Sequence, residues 1–369
     1  MTPRITSSLS LTLSLLLSSC AKDSPPAPMT GWAVGWSNDA TYVPTAKILK
    51  TVDGGVTWAL QALPAATAGF SGNDISAVNE QVAWAAAGSR DFSDGGVLHT
   101  GDGGATWAFQ PLPAGMASVG MKNIKGLSPT EAWAASIQGD VLHTTDGGAH
   151  WTLVPVTTAG GAAIAIRQVN RMDVAGRDVW IIDGLGLDTG VVHSQDGGAT
   201  WRREQLPGMD PGRSPLTVTA FDGRVAWAAV NQAGYLWGTT DGGATWNKSI
   251  DFLAGAFDYD DICASNAGVV WVALNTGPGG LAARITVTDG HFASNPLQIA
   301  HYTMEGISAM PDDLKAWAVG QKPLNDTAAL PQGAIFVTSD GGVTWHQQAL
   351  PSDALDVQLW KVSFVGARR

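Results

Sequence analysis

Six aspartates, Asp53, Asp102, Asp146, Asp196, Asp241 and Asp340, each stand in a near-copy of one octapeptide. The copies read TVDGGVTW, TGDGGATW, TTDGGAHW, SQDGGATW, TTDGGATW and TSDGGVTW. A carboxylate beside hydroxyls is equipped for acid–base work, and His99, His143 and His193 directly precede three of the phrases. Those histidines invite a zinc assignment. Repetition argues against both readings. An active site is normally written once. The three histidines hold one position on separate copies, too far apart to share a metal, and read as strand residues.

The phrase suits a β-hairpin turn. Its aspartate can accept bonds from nearby backbone N–H groups, and paired glycines supply φ > 0 where other residues are strained. The leading Thr or Ser offers a hydroxyl to the carboxylate. The closing tryptophans, Trp58, Trp107, Trp151, Trp201, Trp246 and Trp345, can each lay a ring over the turn, burying a side chain worth roughly 1.5–3 kcal/mol.

The aspartates are spaced by 49, 44, 50, 45 and 99 residues. The last interval is double, and a decayed copy, TVTDGHF with Asp289, splits it into 48 and 51. Seven units of 44 to 51 residues match a four-stranded propeller blade. A second column of β-prone segments carries Trp32, Trp84, Trp133, Trp180, Trp227, Trp271 and Trp317. A third column (Ile75, Ile124, Val169, Val218, Ile262, Ile307) begins 9 to 11 residues before its tryptophan, a hairpin's distance. The first unit lacks that third segment, whereas the last phrase is followed by an extra one, VQLWKVSFV. Residues 355–365 are therefore expected to supply the innermost strand of the first blade and close the ring, removing exposed edges. The fold class is all-β: one seven-bladed propeller of four-stranded antiparallel blades over residues 31–369.

Composition agrees. Of 369 residues, 45% are hydrophobic and 14% charged, with 45 glycines and 16 tryptophans, which favours strands and tight turns. The formal charge is −11. Such acidity opposes phosphate backbones and excludes general nucleic-acid binding.

The opening MTPRITSSLSLTLSLLLSSC reads as an export signal with Arg4 as its only charge and an apolar run too short to span a bilayer. Residues 17–20, LSSC, resemble a bacterial lipobox. Residues 1–19 are then a lipoprotein signal peptide, Cys20 the lipidated residue, and the proline-rich stretch to residue 30 a tether. For a Gram-negative source, Ala21 points to sorting to the outer membrane, facing the periplasm. Cys263 is then left without a disulfide partner and reads as a small buried hydrophobe.

Other chemistry is thin. Asp258-Tyr259-Asp260-Asp261 lacks the ligand order of a calcium loop and reads as a solvated acidic turn. There is no Gly-rich phosphate loop, nucleophile elbow or cysteine pair, and no cofactor is expected. Variation concentrates in residues 36–46, 88–96, 183–190, 275–282 and 320–333. These loops should emerge on the face opposite the repeated turns, where propeller ligands usually dock. The candidate partner-binding residues there are Asp39, Tyr42, Arg90, Asp91, Phe92, Asp188 and Asn325.

The octapeptide resembles the Asp-box, or bacterial neuraminidase repeat. Sialidases carry it on six blades with an Arg-Ile-Pro signature; here the nearest string is Arg284-Ile285-Thr286, with only four glutamates. Xyloglucan-degrading propellers carry it in two tandem rings with an aspartate pair between them, and one ring cannot form that cleft. GWAVG, a following strand and DGGxTW, echoed from residue 31 to the end, resemble the photosystem II stability and assembly factor family. That resemblance implies a seven-bladed scaffold without enzymatic activity, lipid-anchored in cyanobacteria. The photosynthetic members bind their partner through an arginine-rich patch, whereas this acidic chain has no comparable cluster beyond Arg202-Arg203. The expectation is a non-catalytic, lipid-anchored propeller that binds or scaffolds a protein in the cell envelope. The alternative is a carbohydrate-active or glycan-binding propeller with Asp39, Asp91 and Asp188 meeting at the channel mouth.

Overall fold

The computed structural model describes residues 29–113, 116, 119–185, 189–209, 213–230, 236–248, 258–276, 279–288, 291–300, 302–322 and 332–366. Seven antiparallel sheets of four strands form the seven-bladed propeller that the repeat count predicts. Strands are lettered A to D from channel to rim within each blade. The A strands of successive blades touch one another around the ring and so line the channel. They are Phe70–Ala77, Met121–Gly126, Val169–Ala175, Pro215–Ala220, Asp258–Asn266 and Thr303–Ala309 in blades 2 to 7. Blade 1 takes its A strand, Gln358–Phe364, from the far end of the chain. It pairs with Gly31–Asn38 from Gly31↔Phe364 to Trp36↔Gln358, so the ring closes as expected. Among the described residues, no helix is long and apolar enough to cross a membrane.

The apolar residues gather in seven clusters, each lying between two neighbouring blades and drawing on both. This explains the B strands. Ala83–Ser89, AWAAAGS, is buried along all but its last residue. A blade is covered on both faces, so alternation of polar and apolar residues disappears. Alanines allow close approach, and one tryptophan fills the remaining space.

The box turns follow the expected chemistry. Asp53 accepts from Thr57 N–H at 2.9 Å and from the hydroxyls of Thr51 and Thr57 at 2.7 and 2.6 Å. The same pattern recurs at Asp102, Asp196, Asp241 and Asp340, and at Asp146 with His150 replacing the threonine. Both glycines of each of these six boxes have positive φ.

The closing tryptophans do more than cover their own turns: they wedge against the preceding blade. Trp151, Trp246 and Trp345 meet the B-strand tryptophans Trp84, Trp180 and Trp271 edge-on, with centroids 5.9–6.0 Å apart. Trp58 and Trp151 donate to Gln348 and Gln110, and Trp246 donates to Glu204, all on the D strand of the blade before. Trp107 joins Trp32 in the cluster between blades 1 and 2, and Trp201 joins Trp133 between blades 3 and 4. Trp201 also donates to Gly198 O of its own turn.

Blade 6 differs. Its outer hairpin pairs as far as Thr288↔His291, and Asp289, the seventh copy, lies outside the described residues.

The acidic stretch 258–261 requires a correction. It is the start of an inner strand and not a solvated turn; Tyr259 and Asp261 are 1% and 0% exposed. Local polarity suggested solvent, but the channel supplies cations that a local reading cannot see. Cys263 is fully buried, and burial pushes its thiol up to about 12.

Candidate functional site

Every A strand carries a one-residue bulge. Blade 6 has a second skip at Ser265; nearer the strand starts the register skips Asn73, Lys122, Asn170, Leu216, Asp260, Glu305 and Trp360, one in each blade. A bulge bends its strand and re-aims the extra side chain, and bulges concentrate near rims and sites. Six of these seven residues line one cavity of about 140 Å³. Asn123, Arg171, Tyr259 and Lys361 line it with them.

The register also identifies the face. In blade 2, Ala83 pairs with Thr100 beside the box, while Ser89 pairs with Phe70 at the start of the A strand. The bulges lie nearer the A-strand starts, so the cavity opens on the face opposite the boxes. The loops between B and C strands share that face.

Beneath the mouth, ion pairs cross the channel. Arg171 of blade 4 reaches Asp74 of blade 2 and Asp261 of blade 6, both at 3.3 Å. Lys361 of blade 1 approaches Asp261 at 3.4 Å and donates to the carbonyls of Glu305 (2.6 Å) and Asp260 (3.1 Å). Lys125 pairs with Asp173 at 2.6 Å. These carboxylates also join neighbouring blades: Asp74 accepts from Ile124 N–H, Asp173 from Ala220 N–H and Asp261 from Ile307 N–H.

Protonation follows from these surroundings. Burial, with Lys361 and Arg171 nearby, pulls the Lys122 ammonium down to about 8. Burial, reinforced by Glu305, pushes the Asp260 carboxyl well above its ordinary range, against the pull of Lys361 and Asn275. Glu305 is raised by burial as well. Burial opposes the charge on Arg171, but Asp261, Asp74 and Asp173 outweigh it and hold the guanidinium above its ordinary value.

The described candidate loop residues, Asp39, Tyr42, Arg90, Asp91 and Phe92, sit on the same face but not at the mouth. Asp39 accepts from Thr41 N–H, Thr41 Oγ1 and Val43 N–H at 2.7–3.0 Å. Asp91 accepts from Ser89 Oγ, Ser93 N–H and Ser93 Oγ at 2.7–3.1 Å. The Thr41 and Val43 bonds lower the Asp39 carboxyl, and those of Ser89 and Ser93 lower Asp91 to about 2. Neither aspartate lines the channel cavity. Tyr42 and Phe92, one in each turn, have φ of 63° and 55°. That region is costly for bulky residues and concentrates at ligand clamps. Tyr42 is 71% exposed, and Arg90 is exposed beside Asp91. Asp188, Asn325 and Cys20 lie outside the described residues.

The histidines stay apart. His99, His143 and His193 stack on Trp84, Trp133 and Trp180 of their own blades. Among the described residues no cluster suited to a metal ion occurs.

Sequence reading missed the channel site. Its residues come singly from blades far apart in the chain, and the one local signal was the DYDD string at residues 258–261.

Comparisons with known proteins place this geometry. A stretch of 85 residues is 38% identical to the photosystem II assembly lipoprotein Ycf48 of Synechococcus sp. (strain CC9902), covering 23% of this chain and 24% of that protein. Another of 166 residues is 34% identical to the xyloglucanase Xgh74A of Acetivibrio thermocellus, covering 42% of this chain and 15% of the enzyme. The chain thus matches about a quarter or less of the length of these relatives. A solved structure of YCF48 bound to a D1 peptide superposes with a TM-score of 0.58 at 20% identity, covering 82% of this chain and 94% of that one. The family model described as photosynthesis system II assembly factor YCF48 matches residues 27–170 and 120–276, well over half of the chain, and this chain belongs to that family.

Proposed function

We propose that this chain is a non-catalytic propeller that docks a polypeptide on the face opposite the boxes and acts as an assembly scaffold in the cell envelope. The observation that carries the reading is Tyr42, a large exposed side chain held at φ 63° by a turn built on Asp39. Holding a bulky residue there costs of order 1–3 kcal/mol, a cost that a rigid contact point for a partner explains. The YCF48 structure in complex with a D1 peptide supports a polypeptide as the ligand class. The partner itself differs from a photosynthetic one in our reading, because Arg202 and Arg203 are tied internally to Glu204 and Asp183.

Lipid on Cys20 would orient the molecule. The chain enters at Met29, which exchanges backbone hydrogen bonds with Val52 and Gly54 of the first box region. A tether joined at Met29 would meet the box face, and the channel mouth would then turn away from an outer membrane into the periplasm. Palmitate labelling should vanish in Cys20→Ala; label that persists would sink the anchor.

The docking face is tested by a photoreactive residue placed at Tyr42 or, as the control, at Val343 on the box face. Cross-linked protein adducts in cells are expected from position 42 and not from 343. Equal yields, or none at 42, would reject this docking face.

A glycan-processing role is the second reading. It draws on the xyloglucanase likeness and on Asp260 and Glu305, whose raised carboxyls suit a general acid. Release of reducing sugar from xyloglucan, lost in Asp260→Asn, would favour it over docking.

A further inference from the structure

The channel mouth holds donors that the protein itself leaves unused. Asn123 is 1% exposed, and its Oδ1 accepts from Met172 N–H at 3.3 Å, which fixes the amide's orientation. Its Nδ2 is buried with no hydrogen-bond partner among the described residues. Arg171 is 5% exposed; Nη1 and Nη2 serve Asp74 and Asp261, while Nε is buried and likewise unpartnered. Both residues line the same cavity as Lys122, which makes no ion pair among the described residues. A buried unmet donor costs about 1–3 kcal/mol, so two of them at one cavity, beside an unpaired lysine, point to an acceptor from outside.

We propose that the mouth binds a ligand through a single carboxylate group, held by Lys122, Arg171 Nε and Asn123 Nδ2. A carboxylate is acceptor-only and offers two oxygens with about four lone-pair sites, the complement of a donor-only set. The charges favour a monoanion. Arg171 and Lys361 face Asp74 and Asp261, and Lys125 is closed on Asp173. Among the described residues that line the cavity, Lys122 is the cation without an ion pair. Asp260 shares the cavity, and its burial favours the neutral acid, which would not repel the ligand as an ionised wall would. Leu216, Tyr259 and Trp360 share the remaining lining with Asn73 and Asn170, whose amide nitrogens are already bonded to Met121 O and Pro215 O, so an organic acid with a small apolar body suits it better than inorganic phosphate. This site does not depend on the docking role of the outer loops.

The carboxylate could belong to a free small acid or to the end of a peptide, and calorimetric titration of the folded protein separates these. The probes are acetate, benzoate and the tripeptide acetyl-Ala-Ala-Phe with a free or an amidated C-terminus. Benzoate binding without the tripeptide assigns a small acid; binding of the free-ended tripeptide assigns a chain end. Either result supports the site if Lys122→Met weakens it about tenfold or more, the scale of one charge-assisted hydrogen bond, while Lys122→Arg and the box-face control Val343→Ala retain it. No heat with any probe, equal binding of the amidated tripeptide, or full binding by a folded Lys122→Met protein would overturn the proposal.

Discussion

Carboxylates in this chain divide into two populations by environment. Hydrogen bonds from the closing threonine and the leading hydroxyl hold Asp102, Asp196, Asp241 and Asp340 down to about 2, and His150 N–H leads the same effect at Asp146. Burial instead pushes Asp260 and Glu305 up. The two groups act on stability in opposite directions. A depressed folded pKa adds stability above the unfolded value, and that share is lost as pH falls from about 4 through about 2. A raised one favours the protonated fold and removes stability as pH climbs above about 4. Asp260→Asn should therefore melt higher than the parent near pH 7.5, with the gain fading toward pH 4. Thermal melts at the two pH values check this, and an Asn variant less stable at both would contradict the assignment of burial as the cause.

Elements are joined by one repeated device. Each described box presents a tryptophan to the preceding blade, and its second glycine lets the turn come close. At Gly198, with φ +83°, an added Cβ would lie 2.8 Å from the Trp133 ring of blade 3. Trp246 combines the contacts of the joint: it is 6% exposed, edge-on to Trp180 and bonded to Glu204. Trp246→Ala should cost about 3–5 kcal/mol, whereas Trp345, which is less buried and has no hydrogen-bond partner for Nε1 among the described residues, should cost less on the same change. Chemical denaturation of the two variants compares them directly. Equal losses would mean that the box works as an isolated turn and not as a joint between blades.

At the scale of the molecule, the ring depends on Gln358–Phe364. This strand covers the edge of Gly31–Asn38, places Val362 and Phe364 in the cluster between blades 7 and 1, and carries Lys361 into the channel. Deleting residues 358–369 should leave blade 1 with an open edge and Asp261 short of one cation. Exposed edges pair with other chains, so the truncated protein is expected to associate or precipitate where the full chain elutes as one defined species. Size-exclusion chromatography with light scattering measures this. A truncated protein with the parent's elution and melting curve would show that closure is dispensable.

Local patterns in the sequence determined the blade count, the box turns, the seam between the chain's two ends and the face that bears the variable loops. Those features repeat at fixed spacing and are built from residues a few positions apart, so short-range stereochemistry is enough to read them. The channel site was decided by tertiary structure alone. Asp74, Arg171, Asp261 and Lys361 meet only because the ring brings four blades to one axis. A run such as DYDD is solvated or buried according to the cations that other blades place opposite it. The bulges that aim Asn73, Lys122 and Asp260 at the mouth depend on pairing register, which side-chain type alone does not reveal. Likewise, the rings of the box tryptophans found their partners one blade away, where only the packing of sheet on sheet could bring them.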